Sequence, residues 1–260
     1  MKNIAPRLGV NIDHVATLRQ ARRSPYPDPF STLEILKKCQ VDQVTIHLRE
    51  DRRHIQDNDL SKIVAANVLP VNLELAVVSE MLAIACEQKP ATVTFVPERR
   101  EEITTEGGLD VANNFQAIDR AVSVVEASGI RSRLFIGADP DQVRAAAAVK
   151  CEAIELHTGS YCHVFEECFR LLGHNDVSQD AMLQKKLDGE FARLKQASKL
   201  AKSLGLRVFA GHGLTLENLP LILKITEIEE YNIGHSIISH AVFVGLEKAV
   251  LDFQHVLAAG

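Results

Sequence analysis

The chain of 260 residues contains no tryptophan, and its aromatic content is only 5%. Binding of single-stranded nucleic acid relies on aromatic stacking faces, so it is not expected here. Positive charge is not in excess either: 29 Lys and Arg stand against 34 Asp and Glu, a formal net charge of −5. Nucleic-acid and anionic-membrane binders carry the opposite bias, which removes both as expected partners. No apolar run approaches the roughly 20 residues of a membrane span. The opening MKNIAPRLGVNIDH lacks the apolar stretch of a secretory signal. Cys39, Cys86, Cys151, Cys162 and Cys168 form no CxxC pair, and this odd, scattered set reads as reduced thiols in a cytoplasmic protein. With 46% hydrophobic residues there is ample material for a core, and disorder is not expected.

What the sequence does contain is alternation. Eight β-rich runs recur, at Leu8–Asp13, Gln43–Leu48, Pro70–Leu75, Ala91–Pro97, Arg131–Ala138, Ala153–Gly159, Arg207–Gly213 and Glu230–His235. The segments between them have helical periodicity and helix punctuation. Ser31 with Glu34 reads as a capping box, and Asp139–Pro140 as an N-cap followed by Pro at the first helical position. Gly129 and Gly205 sit where helices end. Phe115, Ile118, Val122 and Val125 keep helical spacing, as do Val242, Leu246, Val250, Phe253 and Leu257. Eight strand–helix alternations predict an α/β fold of the closed (β/α)8 TIM-barrel type, in one domain over residues 1–260. The rival doubly wound sheet usually carries a Gly-rich fingerprint after its first strand, and NIDHVATL has none. Two connections are long. Glu98–Asn113 reads either as a solvated loop or as a lid hinged at Gly107–Gly108. Tyr161–Leu204 has room for two helices joined near Gly173–Ser178.

Within these runs, polar residues share one parity: Asn11 and Asp13; Thr45, His47 and Arg49; Asn72 and Glu74; Glu155 and His157; His212; Asn232. The intervening positions, such as Ile12, Ile46, Leu48, Leu73, Leu75, Leu156 and Ile233, are apolar and suit packing against helices. Burying several ionisable groups without partners costs several kcal/mol each, so the polar set must form a network or meet a polar ligand. In a barrel the C-terminal rim is where catalytic groups gather. AGHGL and NIGHSII add glycines around a His at the last two strand ends, where this fold commonly binds phosphate.

Individual residues support more than one reading. His47 and Glu74, on neighbouring strands, suit a general base with a partner carboxylate, or a structural pair. His212, between glycines, suits a proton donor or a turn stabiliser. Asp13 and His14 could bind a ligand or cap the helix beginning VATLRQ. Arg49 could reach a phosphate, whereas Glu50–Asp51–Arg52–Arg53 reads as a solvated salt-bridge cluster. His54 is ambiguous on spacing alone. His157 could belong to the site or hold Glu155 in place. No HExxH and no compact Cys/His cluster occurs, so no metal is expected, although the Asp/His mixture leaves a divalent ion open. No strand end carries Lys, which removes the nucleophile for a Schiff base on the protein.

The motifs GVNIDHVATLRQAR, TIHLREDRRHIQD, NLELA, TFVPERREEITTEGGLD, IELHTGSY, AGHGLT and NIGHSII together resemble the pyridoxine 5′-phosphate synthase family, from about residue 8 to the final helix. The resemblance implies a (β/α)8 barrel with additional helices, assembled as a homo-octamer, with no cofactor. It implies a transferase-type, ring-forming condensation of 1-deoxy-D-xylulose 5-phosphate with 3-amino-2-oxopropyl phosphate in de novo vitamin B6 synthesis. It makes His47 and Glu74 proton acceptors and His212 the proton donor. It assigns Asn11, Arg22, Gly213, Gly234 and His235 to the amino-ketone phosphate, and Asp13, His14, Arg49, His54 and Thr104 to the sugar phosphate. It also gives the ERREEITTEGG loop a lid role. Tyr161–Leu204 departs from the family pattern by its length.

Overall fold

The structure, a computed structural model, describes residues 5–98, 107–172 and 181–260. Eight parallel strands close on themselves in sequence order. They are β1 (Arg7–Asn11), β2 (Gln43–His47), β3 (Val71–Leu75), β4 (Thr92–Phe95), β5 (Arg131–Ile136), β6 (Ala153–His157), β7 (Arg207–Gly211) and β8 (Glu230–Ile233). The helices are α1 (Asp13–Arg22), α2 (Leu33–Lys38), α3 (Asp57–Ala66), α4 (Ser79–Gln88), α5 (Phe115–Ala127), α6 (Pro140–Ala148), α7 (Gly159–Leu172), α8 (Ala181–Ser203), α9 (Leu219–Ile222), α10 (His235–Val244) and α11 (Leu246–Ala259). Pairing of β8 with β1 closes the cylinder, which excludes the open doubly wound sheet.

Both faces of the strands are covered. The apolar parity, including Ile12, Ile46, Leu48, Leu73, Leu75, Leu156 and Ile233, is buried against the helices. The other parity fills the barrel with polar groups. Near the N-terminal end, buried Glu230 accepts from Arg133 at 2.8 Å and Gln43 at 2.9 Å, and pairs with Arg7 at 2.7 Å. The Arg133 guanidinium lies 4.5 Å from the centre of the Phe209 ring, so a cation–π contact helps hold it in the interior. Above this floor, Gln43 also donates to Asn232, which donates to Glu155 at 2.7 Å.

Several local expectations hold. Asp139 caps α6 through the amides of Asp141 and Gln142, with Pro140 opening the helix. The excursion after β6 is α7 and α8, although its joint near Gly173–Ser178 lies outside the described residues. The Ser31 capping box does not form. A 3₁₀ turn over Pro29–Thr32 starts instead with Asp28, whose carboxylate accepts the Phe30 amide at 3.0 Å. Val242 and Leu246 are not on one helix either. Gly245, at φ +83°, separates α10 from α11 and leaves Val242 exposed.

One buried ion pair fixes the helices beneath the site. Arg19 on α1 makes a bidentate contact with Asp59 on α3, both bonds at 2.7 Å, and also donates to the His54 carbonyl. Truncating one member leaves the other charge unpaired, at a cost of about 3 kcal/mol. Arg19→Ala should therefore lower the thermal midpoint by several degrees while its circular dichroism stays native, and an unchanged midpoint would remove the pair from the supports of this rim.

Candidate active site

The end of β1 shows how the sequence builds this site. After Asn11 the backbone turns into α1, so β2 loses a backbone partner one residue before its end. The Asp13 carboxylate takes over and accepts the His47 amide at 2.8 Å. Its other oxygen accepts the Asn11 side-chain amide at 2.8 Å, and Asn11 accepts the Asp13 N–H at 2.9 Å. Asn11 therefore takes up the first amide of α1, and Asp13 bridges two strands.

His47 and Glu74 face each other across β2 and β3, in register. The His47 Nδ1 to Glu74 Oε2 distance is 3.9 Å, beyond hydrogen-bond range. The carboxylate that does bond the ring is Glu98, just after β4: its Oε1 lies 2.8 Å from His47 Nε2, and its Oε2 accepts the Glu50 amide at 3.1 Å. The sequence reading missed this partner. Its one signal was an acidic residue opening the ERREE run directly after a strand.

His14 and His235, from the ends of β1 and β8, meet edge to face at 4.7 Å. His54 lies 6.1 Å from His47, and its Nδ1 accepts the Ile55 amide. Arg49 is buried beside this group. The charge run behaves as expected: Arg52 pairs with Asp57 and Glu80, and Arg53 with Asp51. Across the mouth, His212 packs 4.9 Å from His157, and Phe135 stands against both rings, so His212 is better shielded than its glycine neighbours suggested. His157 does not hold Glu155, which accepts from Asn232.

The turn after β7 is strained and clamped. His212 has φ +80° and Gly213 φ +81°, a region that residues with a Cβ rarely enter. Thr158 Oγ1 lies 2.7 Å from the Gly211 carbonyl and 2.5 Å from that of His212, while Asn218 donates to the Gly213 carbonyl at 3.0 Å. At Gly234, preceding α10, an added Cβ would come within 2.9 Å of the Asn11 Cβ. Gly213 is exposed, and half-buried Gly234 leads directly into α10, whose N-terminus favours an anion. Arg22 is not brought into this group: it is exposed in the last turn of α1, about 14 Å along the helix axis from Asp13. Thr104 and most of the ERREEITTEGG segment lie outside the described residues, whereas Leu109 is bonded to the Phe135 carbonyl on β5.

Burial shapes the charges. Desolvation, with Glu155 and Asp13 nearby, pushes Glu74 well above the usual carboxylate range. Desolvation also raises Glu155, to about 7, against the opposing charge of Arg133. His14, His54 and His212 are lowered, chiefly by burial, and His157 is held at about 4 by burial, with His212 and Arg193 adding to it. Burial works to raise Glu98, but its bond to His47, the His47 charge and the Glu50 amide outweigh this and hold it low. Ligand atoms of Asp13, His47 and Glu74 lie within 4.8 Å of one another, a spacing that a divalent cation could also use, although both Asp13 oxygens already have donors.

The family described as Pyridoxal phosphate biosynthesis protein PdxJ matches residues 8–259. Pyridoxine 5′-phosphate synthase of Synechococcus sp. (strain JA-2-3B'a(2-13)) is 49% identical over 250 residues, which covers 96% of this chain and 98% of that protein. The protein of the same name in Aliarcobacter butzleri (strain RM4018) is 43% identical over 256 residues, covering 96% and 98%. Among solved structures, phosphoribosyl anthranilate isomerase from Thermococcus kodakaraensis aligns with a TM-score of 0.57 at 11% identity, covering 98% of this chain and all of that one. At that identity the likeness speaks for the barrel alone.

The raised Glu74 has a consequence for stability. At low pH the folded and unfolded chains both carry the proton. As pH rises through the ordinary carboxylate range the unfolded side chain ionises first, so stability falls until the folded group also ionises. Glu74→Gln should therefore gain thermal midpoint over the natural chain at pH 8 and gain much less at pH 4. A difference independent of pH would show that folding does not raise Glu74.

Proposed function

The chain belongs to the Pyridoxal phosphate biosynthesis protein PdxJ family, and on that premise we propose that it makes pyridoxine 5′-phosphate from 1-deoxy-D-xylulose 5-phosphate and 3-amino-2-oxopropyl phosphate. The observation that carries this reading is the meeting of Asp13, His47 and Glu74 within 4.8 Å at one barrel mouth, with His212 on the opposite side. A ring-forming condensation needs several proton transfers around one small intermediate, and such a set supplies them.

The amine that attacks the sugar ketone belongs to the substrate, which agrees with strand ends that carry no Lys. Addition and loss of water give an imine, phosphate then leaves, and an aldol-type closure followed by loss of water completes the aromatic ring. His47 and Glu74 take protons from carbon or nitrogen, and His212 returns one to a departing hydroxyl. A carboxyl raised by burial, as Glu74 is, has a basicity suited to proton abstraction near neutral pH. Asn11, Gly213, Gly234 and His235 form the cradle for the amino-ketone phosphate at the start of α10. Asp13, His14, Arg49 and His54, on the β1 and β2 side, take the sugar phosphate.

The family reading also carries a cytoplasmic homo-octamer. Val242 and Phe243, exposed at 68% and 86% near the end of α10, support assembly, because a further chain would cover them. No described helix is long and apolar enough to cross a membrane.

The decisive experiment mixes both phosphates with the purified protein and follows pyridoxine 5′-phosphate, with and without chelator. Ring product in both arms is expected. Binding of both phosphates without product would make the protein a sensor, and loss of product on chelation would assign the triad to a metal. Glu74→Gln should lose about 10²–10⁴-fold in turnover with phosphate affinity retained. Gly234→Ala, which forces Asn11 aside, should raise KM for the amino-ketone phosphate about tenfold and leave the sugar-phosphate KM within a factor of about two; equal changes in both would dissolve the two-cradle assignment.

A further inference from the structure

His47 is held at two points. Asp13 Oδ1 fixes its backbone amide at 2.8 Å, and Glu98 Oε1 lies 2.8 Å from its ring Nε2. The second Glu98 oxygen is occupied by the Glu50 amide at 3.1 Å. The Glu98 side chain is 5% exposed, so water competes little for either bond. An ionised carboxylate can only accept, so the proton between Glu98 and the imidazole sits on Nε2. In a neutral ring this leaves the lone pair on Nδ1, the nitrogen that faces Glu74 at 3.9 Å. The two carboxyls flanking the ring therefore differ in kind. Glu98 bonds both the ring and the Glu50 amide, whereas Glu74 stands 3.9 Å from the ring, too far to orient it.

We propose that Glu98 is a positioning residue for the condensation, fixing the His47 tautomer so that Nδ1 is the proton-accepting atom. The inference rests on the reading that His47 accepts a proton during ring formation. When Nδ1 takes a proton from the substrate, the ring carries a positive charge, and the carboxylate 2.8 Å from Nε2 offsets it without itself accepting the proton. A carboxylate behind an imidazole base has the same two duties in hydrolase triads: it orients the ring and balances its charge. The reach of Glu98 also joins the end of β2 to the segment after β4, so the geometry of the base depends on where that segment begins.

Glu98→Gln is the informative variant. The Glu50 amide still needs an acceptor, so the Gln oxygen stays there and its NH₂ turns towards His47. Nε2 must then accept, which moves the ring proton to Nδ1 and blocks the base. Turnover should fall about 10²–10⁴-fold, with KM for each phosphate within about threefold of the natural chain. Glu98→Asp, which keeps the charge, should recover part of the loss. Nitrogen-15 resonances of His47 in the unsubstituted protein at neutral pH should report the Nε2–H tautomer, and in Glu98→Gln the Nδ1–H tautomer. An Nδ1–H ring in the unsubstituted protein, or near-normal turnover in Glu98→Gln, would overturn the proposal. If the natural chain forms no ring product, the functional reading fails, while the tautomer measurement still decides whether Glu98 sets the ring.

Discussion

Closing eight parallel strands into a cylinder sends every second side chain into one narrow space with no solvent-facing side, and the rest of the molecule depends on how that space is neutralised. At the N-terminal end the answer is direct compensation: Glu230 has Arg133 and Arg7 beside it, and Gln43 and Asn232 pass the network upward. Burial of ions at this depth is tolerable only when each has a partner of opposite sign or a full set of hydrogen bonds. At the C-terminal end the compensation is incomplete by comparison. Glu74 and Glu155 remain in a desolvated setting that pushes both above the usual carboxylate range, Glu155 to about 7. Floor and mouth thus share one chemistry with opposite outcomes, a locked network below and titratable groups above.

The raised carboxyls bear on ligand choice. Carboxyls pushed up by burial, as Glu74 and Glu155 are, repel a phosphate ester less than fully ionised ones would. Asp13 keeps its oxygens occupied by the His47 amide and the Asn11 side chain, so its charge is directed inward to the scaffold. Beside Asn11, Gly234 leads directly into the first turn of α10, where the helix dipole favours an anion.

Much of this was legible in the sequence because a strand has a period of two. The parity of Asn11, Asp13, His47, Glu74, Glu155, His157 and Asn232 gave the inward face, and the number of alternations gave the closed barrel. Features without periodicity were not legible. Glu98 lies beyond the end of β4 and reaches a ring 51 residues earlier in the chain, a contact that depends on how a loop leaves the barrel. The same applies to the bridging role of Asp13, which arises only because β1 turns into a helix one step before β2 ends. Gly245 divides what the apolar spacing presented as one helix, since a helical pattern on either side of a break can stay in phase across it. Arg22 carries a role from resemblance alone, since its exposed place in the last turn of α1 gives no strand parity to read.

The histidines of the rim bring the ligand itself into the proton balance. His14, His54 and His212 are each lowered by burial, so near neutral pH the free site presents uncharged imidazoles. A general acid in that state is weak. Phosphate dianions entering the two cradles add negative charge close to these rings, and an anion within a few ångströms favours the protonated form by the same mechanism that lowers a carboxylate beside an arginine. His212, the proposed donor, would then acquire its proton as the substrates arrive. His47 is treated differently by the fold, since Glu98 already stands behind it and leaves Nδ1 free to accept. On the proposed reading, one imidazole is set as a base by the protein and another is made an acid by the substrate, which would let two histidines on one rim perform opposite transfers at the same pH.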